Sequence, residues 1–406
     1  MKYLAELGRQ TELSLAELES LFSHVTPLKT GVLSSKSTHS FGESLRAQNS
    51  AKPSVALATF ESETVPDLTH LGGTLKIGVE LTRSVLDELR ALPEGKITLG
   101  VSDYRKSASK ASARAEALKL KKILARHGRS VRVLENKSAV LSTATSHHNQ
   151  LAEKKNHVEI MLTDVGAFRL LAVQNITLYA KRDQARPARD AKVGMLPPKL
   201  AQILLNLCGP LPENARVLDP FCGTGVVLQE ALLMGYRVMG SDLSERMVDY
   251  SRKNLAWLSE NLSTFQKSTT EKSTPLPDSP VLLAGDATSL SWPAAIDAVA
   301  TEVFLGSPLS APPAEIKLKT EKDTCKTIIL DTLKNLAPQL KKDTPLVLAV
   351  PAWLRPNGSY SRLELLDEIK SLGYNVKSFK NLGASALLYH REGQVVARDI
   401  IVLRKS

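Results

Sequence analysis

Apolar positions along the chain recur in some stretches every second residue and in others every third or fourth, so strand-like and helix-like runs alternate throughout. A strand-like opening passes into a run in which Leu15, Leu18, Leu21 and Phe22 share one helical face, with Ser14 and Glu17 reading as the capping box that starts it. From 25 to 66 Ser, Thr and Gly break the rhythm, which predicts loops and weak strands. A strand at 71–79, a helix at 82–92 ended by Pro93 and Gly95, and a strand at 96–101 follow. The next helix covers 107–127, with Gly128 where a C-terminal glycine cap belongs. A strand at 131–134 and short elements at 138–145 and 157–163 complete an α+β region over residues 1–165.

Residues 166–194 read as a linker, in which apolar runs at 168–173 and 176–179 give way to a basic stretch holding Lys181, Arg182, Arg186, Arg189 and Lys192. Residues 195–406 then alternate strands and helices in the manner of an α/β sheet covered on both faces. Pro197 and Pro198 suit the start of a helix running to 207. Ser244 can cap a helix through 258, and helices at 322–340 and 362–372 lie between strands at 281–284, 296–302, 345–350 and 374–379. Segments 386–390 and 395–403 form a terminal hairpin. Residues 259–280, rich in Ser, Thr, Lys and Pro, read as a mobile insertion.

The chemistry concentrates between 215 and 243. A short apolar strand ends at Asp219, the turn Pro220-Phe221-Cys222-Gly223-Thr224-Gly225 opens a helix, and a second apolar strand ends at Asp242, 23 residues after Asp219. Glycines in such a turn let the backbone pass close to a ligand, and an acid at the second strand end meets ribose hydroxyls. The third glycine of a dinucleotide site is missing. An acid at the start of the turn and no phosphate cradle suit a cationic, phosphate-free nucleoside, S-adenosyl-L-methionine above all.

The wording of the turn, Asp-Pro-Phe-Cys-Gly-Thr-Gly, with Gly240-Ser241-Asp242-Leu243-Ser244 after it, resembles the cofactor motifs of the THUMP-domain-containing RNA guanosine N2-methyltransferases, the tRNA-modifying group above all. The resemblance covers roughly residues 190–403 with specific motifs and 1–165 loosely. It implies a Rossmann-like, seven-stranded class I methyltransferase domain whose seventh strand is antiparallel, preceded by a ferredoxin-like and THUMP-like region that binds the tRNA acceptor end. It further implies that Asp219, Phe221, Gly223, Gly225, Asp242 and Leu243 hold the cofactor. Asp286 and Ala287, in Gly285-Asp-Ala after the third strand, would serve the adenine, and Pro198 and Lys199 would cover the methionine end.

At the end of the fourth strand the chain departs from type. Amino methyltransferases of this class carry Asn or Asp, Pro, Pro and an aromatic there, the acceptor oxygens aiming the amine and the ring stacking on the base. Here Glu302 takes the acid's place, Val303 and Phe304 replace the prolines, and Leu305 falls where the aromatic belongs. Glu302 can still accept a hydrogen bond from a guanine N2 amine, although its extra methylene moves the oxygen by about 1 Å. Phe304 is the candidate stacking surface, and Trp353 a candidate wall of the base pocket or a core residue. Two further readings stay open: N6-adenine methylation of DNA or rRNA, and an RNA-binding protein that keeps the cofactor fold without transfer.

Net charge sharpens the partner. The chain carries +11, and residues 100–137 hold eleven Lys and Arg against three acids, so +8 of it lies there. A solvated helix face would interleave Glu with Lys, which this one barely does, so Arg105, Lys106, Lys110, Arg114, Lys121 and Lys122 are expected to contact RNA phosphates. The basic stretch at 181–195 can touch RNA as well. Cys208, Cys222 and Cys325 show neither metal spacing nor a paired framework, and His147, His148 and His157 stand without a ligand cluster, so no metal is expected. With no run of about 18 apolar residues and no leader, the expectation is a soluble cytoplasmic protein without a membrane partner.

Overall fold

The computed structural model describes residues 1–30, 56–190, 195–265, 279–383 and 387–406. The chain divides into two compact units, one of residues 1–11, 22–69 and 74–176, the other of 12–21, 70–73 and 177–406.

The first unit is α+β. Its strands are β1 (Lys2–Leu7), β2 (Ser23–Leu28), β3 (Leu57–Glu61), β4 (Thr74–Glu80), β5 (Ile97–Asp103), β6 (Val131–Val133), β7 (His157–Thr163) and β8 (Gly166–Val173). They form one sheet in the order β2-β3-β1-β4-β8-β7-β5-β6. With α1 (Thr11–Leu21) counted first along the chain, this unit's helices are α2 (Val85–Arg90), α3 (Lys110–Arg126) and α4 (Thr143–His148). Ala113, Ala117, Leu120 and Leu124 give α3 a buried stripe at helical spacing. Ser109 and Ser112 close its N-terminus as a capping box, and Gly128 leaves it at φ +76°.

A buried ion pair crosses the sheet: Lys76 Nζ donates to Glu159 Oε1 at 2.8 Å and to the Leu141 carbonyl at 2.7 Å. Ser102 and Ser146 hydroxyls donate to the same Glu159 carboxylate, so both charges leave water fully partnered.

The second unit holds the parallel sheet. Its strands are β9 (Arg216–Asp219), β10 (Arg237–Asp242), β11 (Val281–Ala284), β12 (Ala298–Glu302), β13 (Pro345–Leu354), β14 (Tyr360–Ser361), β15 (Tyr374–Val376), β16 (Leu388–Tyr389) and β17 (Val396–Lys405). The order is β11-β10-β9-β12-β13-β17-β15, with β17 antiparallel to both neighbours and β14 and β16 paired outside this path. That is the expected Rossmann-like order, seventh strand included. Side chains alternate between two apolar layers: Val217, Ala298, Ala300, Val347 and Val402 face one, Leu218, Val299, Leu346, Leu348 and Leu403 the other. The helices are α5 (Ile176–Gln184), α6 (Pro198–Leu207), α7 (Val226–Leu233), α8 (Glu245–Glu260), α9 (Leu262–Phe265), α10 (Glu315–Leu336) and α11 (Leu366–Ser371).

Several local expectations change. Helix α1 starts at Thr11, so Ser14 and Glu17 lie inside it and form no capping box. Glu17 instead turns inward, where its carboxylate accepts the Gly72 and Gly73 amides, both at 2.9 Å, and Asn206 Nδ2 at 2.8 Å. Burial pushes this carboxyl up to about 7 against the pull of the three donors. Residues 166–184, read as the start of a linker, contain strand β8 and helix α5. The stretch 259–265 is largely helical, while 266–278, most of the expected insertion, lies outside the described residues, as do 31–55 and Lys192. Helix α10 begins seven residues before its expected start, and Ser244 makes no side-chain cap on α8.

Replacing Glu17 by Ala removes the carboxylate that accepts from the Gly72 and Gly73 amides and from one N–H of Asn206, whose other N–H stays with the His70 carbonyl. The expected cost is about 3 kcal/mol or more, read as a lowered urea midpoint; a variant as stable as the parent would mean that water replaces the carboxylate.

Candidate active site

The ends of β9, β10, β11 and β12 lie side by side at the carboxyl rim of the sheet, where open α/β sheets bind ligands. This brings Asp219, Asp242, Asp286 and Glu302 to one edge.

The turn after β9 needs unusual backbone. Gly223 has φ +50° and Gly225 φ +81°, both in the left-handed region. A Cβ on Gly225 would stand 2.9 Å from Ser251 Oγ on α8, whereas one on Gly223 would meet nothing within 4 Å, so the ground above that residue is open. Helix α8 grips the turn: Ser251 Oγ donates to the Gly223 carbonyl at 2.8 Å and Asn254 Nδ2 to the Thr224 carbonyl at 2.8 Å. Asp242 holds it from the next strand, Oδ2 accepting the Gly223 amide at 3.0 Å and Oδ1 the Ser244 amide at 2.9 Å. Each carboxylate oxygen keeps a second lone pair for a hydroxyl.

Asp219 is buried at 2% exposure, and Oδ1 accepts Thr301 Oγ1 at 2.6 Å and the Phe221 amide at 3.2 Å. Burial pushes its carboxyl up to about 7, opposed by those two donors and reinforced by the nearby Asp242 and Glu302. Leu243 is 77% exposed, an aliphatic surface on the rim. Asp286 is exposed, and the Thr288 amide and hydroxyl, donating to Oδ1 at 2.9 and 2.8 Å, hold its carboxyl below the usual range. Ala287 is buried, its carbonyl accepting Asn335 Nδ2.

Glu302 ends β12 as its spacing predicts, but it has a partner that the sequence reading missed. Arg398 Nε, on β17, donates to Glu302 Oε1 at 2.7 Å, and both side chains are largely shielded from water. The signal was present as Arg398, one of two arginines in β17, yet only the strand order brings it to Glu302. Val303 is buried and Phe304 is 44% exposed, so the Phe304 side chain is open to solvent. Trp353 is fully buried in the core, which excludes it as a pocket wall.

Pro198 occupies the first position of α6, and the Lys199 ammonium lies 5.1 Å from the Tyr179 ring centroid. In the basic stretch before it, Arg182 and Arg186 are buried, Arg182 Nε donating to Glu230 Oε1 at 2.8 Å, so neither faces solvent to meet RNA.

In the first unit, Lys106, Lys110, Arg114, Lys121 and Lys122 are exposed, the last four on α3, where Lys110, Arg114 and Lys121 flank its buried stripe and Lys122 lies opposite it. Lys110 lies 3.8 Å from Glu135, while Arg114, Lys121 and Lys122 make no ion pair among the described residues. Arg105 differs: its Nε and Nη2 both bond the Asp103 carboxylate at 2.8 Å, a bidentate pair that occupies the guanidinium. Among the described residues no group of three or more His, Cys, Asp or Glu could hold a metal ion, and no helix is long and apolar enough to cross a membrane.

The sheet order, the glycine turn and the acids at successive strand ends are those expected of a class I methyltransferase domain. Residues 186–272 match the family model UPF0020, described as RMKL-like, methyltransferase domain, and these residues include the turn with Asp219 and Asp242. A tRNA (guanine(10)-N2)-dimethyltransferase of Methanothermobacter thermautotrophicus is 43% identical over 91 residues, 21% of this chain and 27% of that protein. Another of the same description, from Pyrococcus abyssi, is 45% identical over 62 residues, 15% of this chain and 18% of the relative. The chain thus spans about a quarter of the first relative's length and less of the second's. The crystal structure of TrmN from Thermus thermophilus aligns over 100% of both chains at 19% identity, with a TM-score of 0.43.

A raised Asp219 value predicts a pH signature. A carboxyl that stays protonated in the fold contributes stability that is whole below its ordinary value of 3.8 and is lost as pH rises through about 7. In ligand-free thermal melts the wild type should lose stability relative to Asp219→Asn between about pH 4 and 7, and the difference should level off above. A difference constant across that window would place the titration elsewhere.

Proposed function

We propose that the protein is an S-adenosylmethionine-dependent RNA methyltransferase that transfers a methyl group to the N2 amine of a guanosine in tRNA. One observation carries the reading: Glu302 stands next in line after Asp219 and Asp242 on the rim whose turn matches the methyltransferase family model. The relatives, tRNA (guanine(10)-N2)-dimethyltransferases, support the substrate.

The residues present suit such a cofactor. Asp242 has lone pairs for ribose hydroxyls, Leu243 an aliphatic face for the adenine, and Asp286 Oδ2 an acceptor for its amino group, with Ala287 beside it. Phe221, Gly223 and Gly225 shape the turn, and Asp219 lies at its base. When bound, S-adenosylmethionine supplies an electrophilic methyl on a sulfonium.

The chain's own part is positioning. Arg398 fixes Glu302 Oε1, so the other oxygen is left to accept a hydrogen bond from the exocyclic amine, to hold its lone pair in line, and to receive the proton that the methylated amine gives up. A carboxylate suits guanine, which offers N1–H and N2–H donors together, and repels the N1 lone pair of adenine. Phe304 stacks on a base taken out of its helix. Residues 1–165, ferredoxin-like and THUMP-like, bind the RNA through phosphate and 2′-hydroxyl contacts, with the cationic face of α3 as their centre. The three buried free thiols suit a reducing cytoplasm.

The pairing of Glu302 with Arg398 and the loss of the two prolines also favour a second reading, an RNA-binding protein that keeps the cofactor site without transfer. Incubation with tritiated S-adenosylmethionine and total tRNA, rRNA or DNA decides. Label in tRNA is expected, label in DNA alone overturns the substrate, and no label with cofactor still bound in calorimetry selects the silent binder. Glu302→Ala should lower turnover by about 100-fold or more while cofactor affinity stays within a few-fold; unchanged turnover removes Glu302 from the reaction.

The RNA surface has its own test. Lys121→Glu with Lys122→Glu should weaken tRNA binding by about tenfold or more and flatten its salt dependence by roughly two counterions, with cofactor affinity untouched. Affinity and salt slope equal to those of the parent would move the RNA surface off α3.

A further inference from the structure

Resting on the cofactor reading above, we propose that Arg186 is the side chain that binds the carboxylate of the cofactor's amino-acid end. Two features of the structure lead there.

The first is an unsatisfied buried cation. The Arg186 side chain is fully shielded from solvent, yet among the described residues its Nη1 hydrogen-bonds only the Thr224 hydroxyl at 3.4 Å and its Nη2 only the Met195 sulfur at 3.6 Å. Among the described residues its Nε has no hydrogen-bond partner, and the nearest carboxylate, on partly exposed Asp183, is 3.9 Å away. Other buried cations of the chain are matched: Lys76 meets Glu159 at 2.8 Å, Arg182 meets Glu230 at 2.8 Å, and Arg398 meets Glu302 at 2.7 Å. A guanidinium buried without a close counter-charge is costly, and its planar fork of donors is the shape that a carboxylate fills. Glu230, the buried anion of this cluster, gives its Oε1 to Arg182, and among the described residues it makes no ion pair with Arg186.

The second is its place. Thr224 is the middle residue of the Gly-Thr-Gly turn, so Arg186 sits against the cofactor turn itself. The chain holding it is strapped there by Asn254, whose side chain exchanges hydrogen bonds with the Ala188 backbone at 3.0 and 2.9 Å and bonds the Thr224 carbonyl with the same amide. The contacts that Arg186 makes, a long one to a hydroxyl and one to a thioether, lose little when exchanged for a carboxylate. The Asp219 carboxyl at the base of the turn and the Arg186 guanidinium beside its middle then stand as partners for the amino group and the carboxylate of an amino acid.

The test compares S-adenosylhomocysteine with 5′-methylthioadenosine, which keeps the nucleoside and lacks the amino-acid end, by calorimetry on the full chain. Arg186→Gln should weaken S-adenosylhomocysteine by tenfold or more and leave 5′-methylthioadenosine within about twofold; Arg186→Lys should recover part of the loss. Equal weakening of both ligands, or of neither, overturns the proposal, since a merely structural arginine would not distinguish them. A measurement without any variant stands beside it: the wild type should bind decarboxylated S-adenosylhomocysteine at least tenfold more weakly than the parent compound, and equal affinity overturns the proposal. A wild type that binds none of these nucleosides sinks the cofactor reading itself, and this inference with it.

Discussion

The grip of helix α8 on the glycine turn is the constraint on which the rest of the site depends. Two glycines in left-handed conformation leave a turn that would otherwise sample many states, and its carbonyls point where no ladder can receive them. Ser251 and Asn254, one helical turn apart on α8, each donate to one of those carbonyls. Asp242 takes the Gly223 amide from the opposite side. The turn is therefore fixed by three polar groups, one from β10, which closes the βαβ unit, and two from α8, the helix after it. Asn254 also fastens Ala188, so one buried amide sets the position of both the turn and the segment that carries Arg186.

Acids collect on the rim for a reason that follows from the sheet. Parallel strands buried on both faces can bring a carboxylate to solvent or a ligand only where the strand ends. Asp219, Asp242 and Glu302 are each the last residue of their strand, while the positions before them, such as Leu218, Ser241 and Thr301, are buried. Charges so close must be moderated. Thr301 donates to Asp219, two backbone amides to Asp242 and Arg398 to Glu302, so each carboxylate meets a donor of its own.

What the sequence made legible follows from the range of the interactions involved. Strand ends at Asp219, Asp242 and Glu302, the start of α6 at Pro198 and the glycine exit from α3 are set by neighbours within a few residues, and periodicity with turn chemistry finds them. Ser14 and Glu17 show the opposite case. Their spacing imitates a capping box, but the donors that Glu17 satisfies come from Gly72, Gly73 and Asn206, far away in sequence. The partnership of Glu302 with Arg398, 96 residues apart, and the burial of Arg186 in a stretch that looks like an exposed basic connection were hidden for the same reason.

The missing prolines after β12 raise the question of what stiffens that loop instead. Two prolines would restrict φ at successive residues; here the restraint is distributed over side chains. Val303 is sunk into the core and its amide donates to the Ala349 carbonyl, extending the pairing one residue beyond the strand. Gly306 turns the chain at φ +85°, and the Ser307 amide is then caught by Glu321 of α10 at 2.9 Å. Phe304 thus stands between two anchored points, and Glu302 is oriented from outside the loop by Arg398. A rigid local motif has been replaced by contacts from β13, β17 and α10, so the geometry of the loop depends on the assembled sheet and cannot be inferred from residues 302–305 alone.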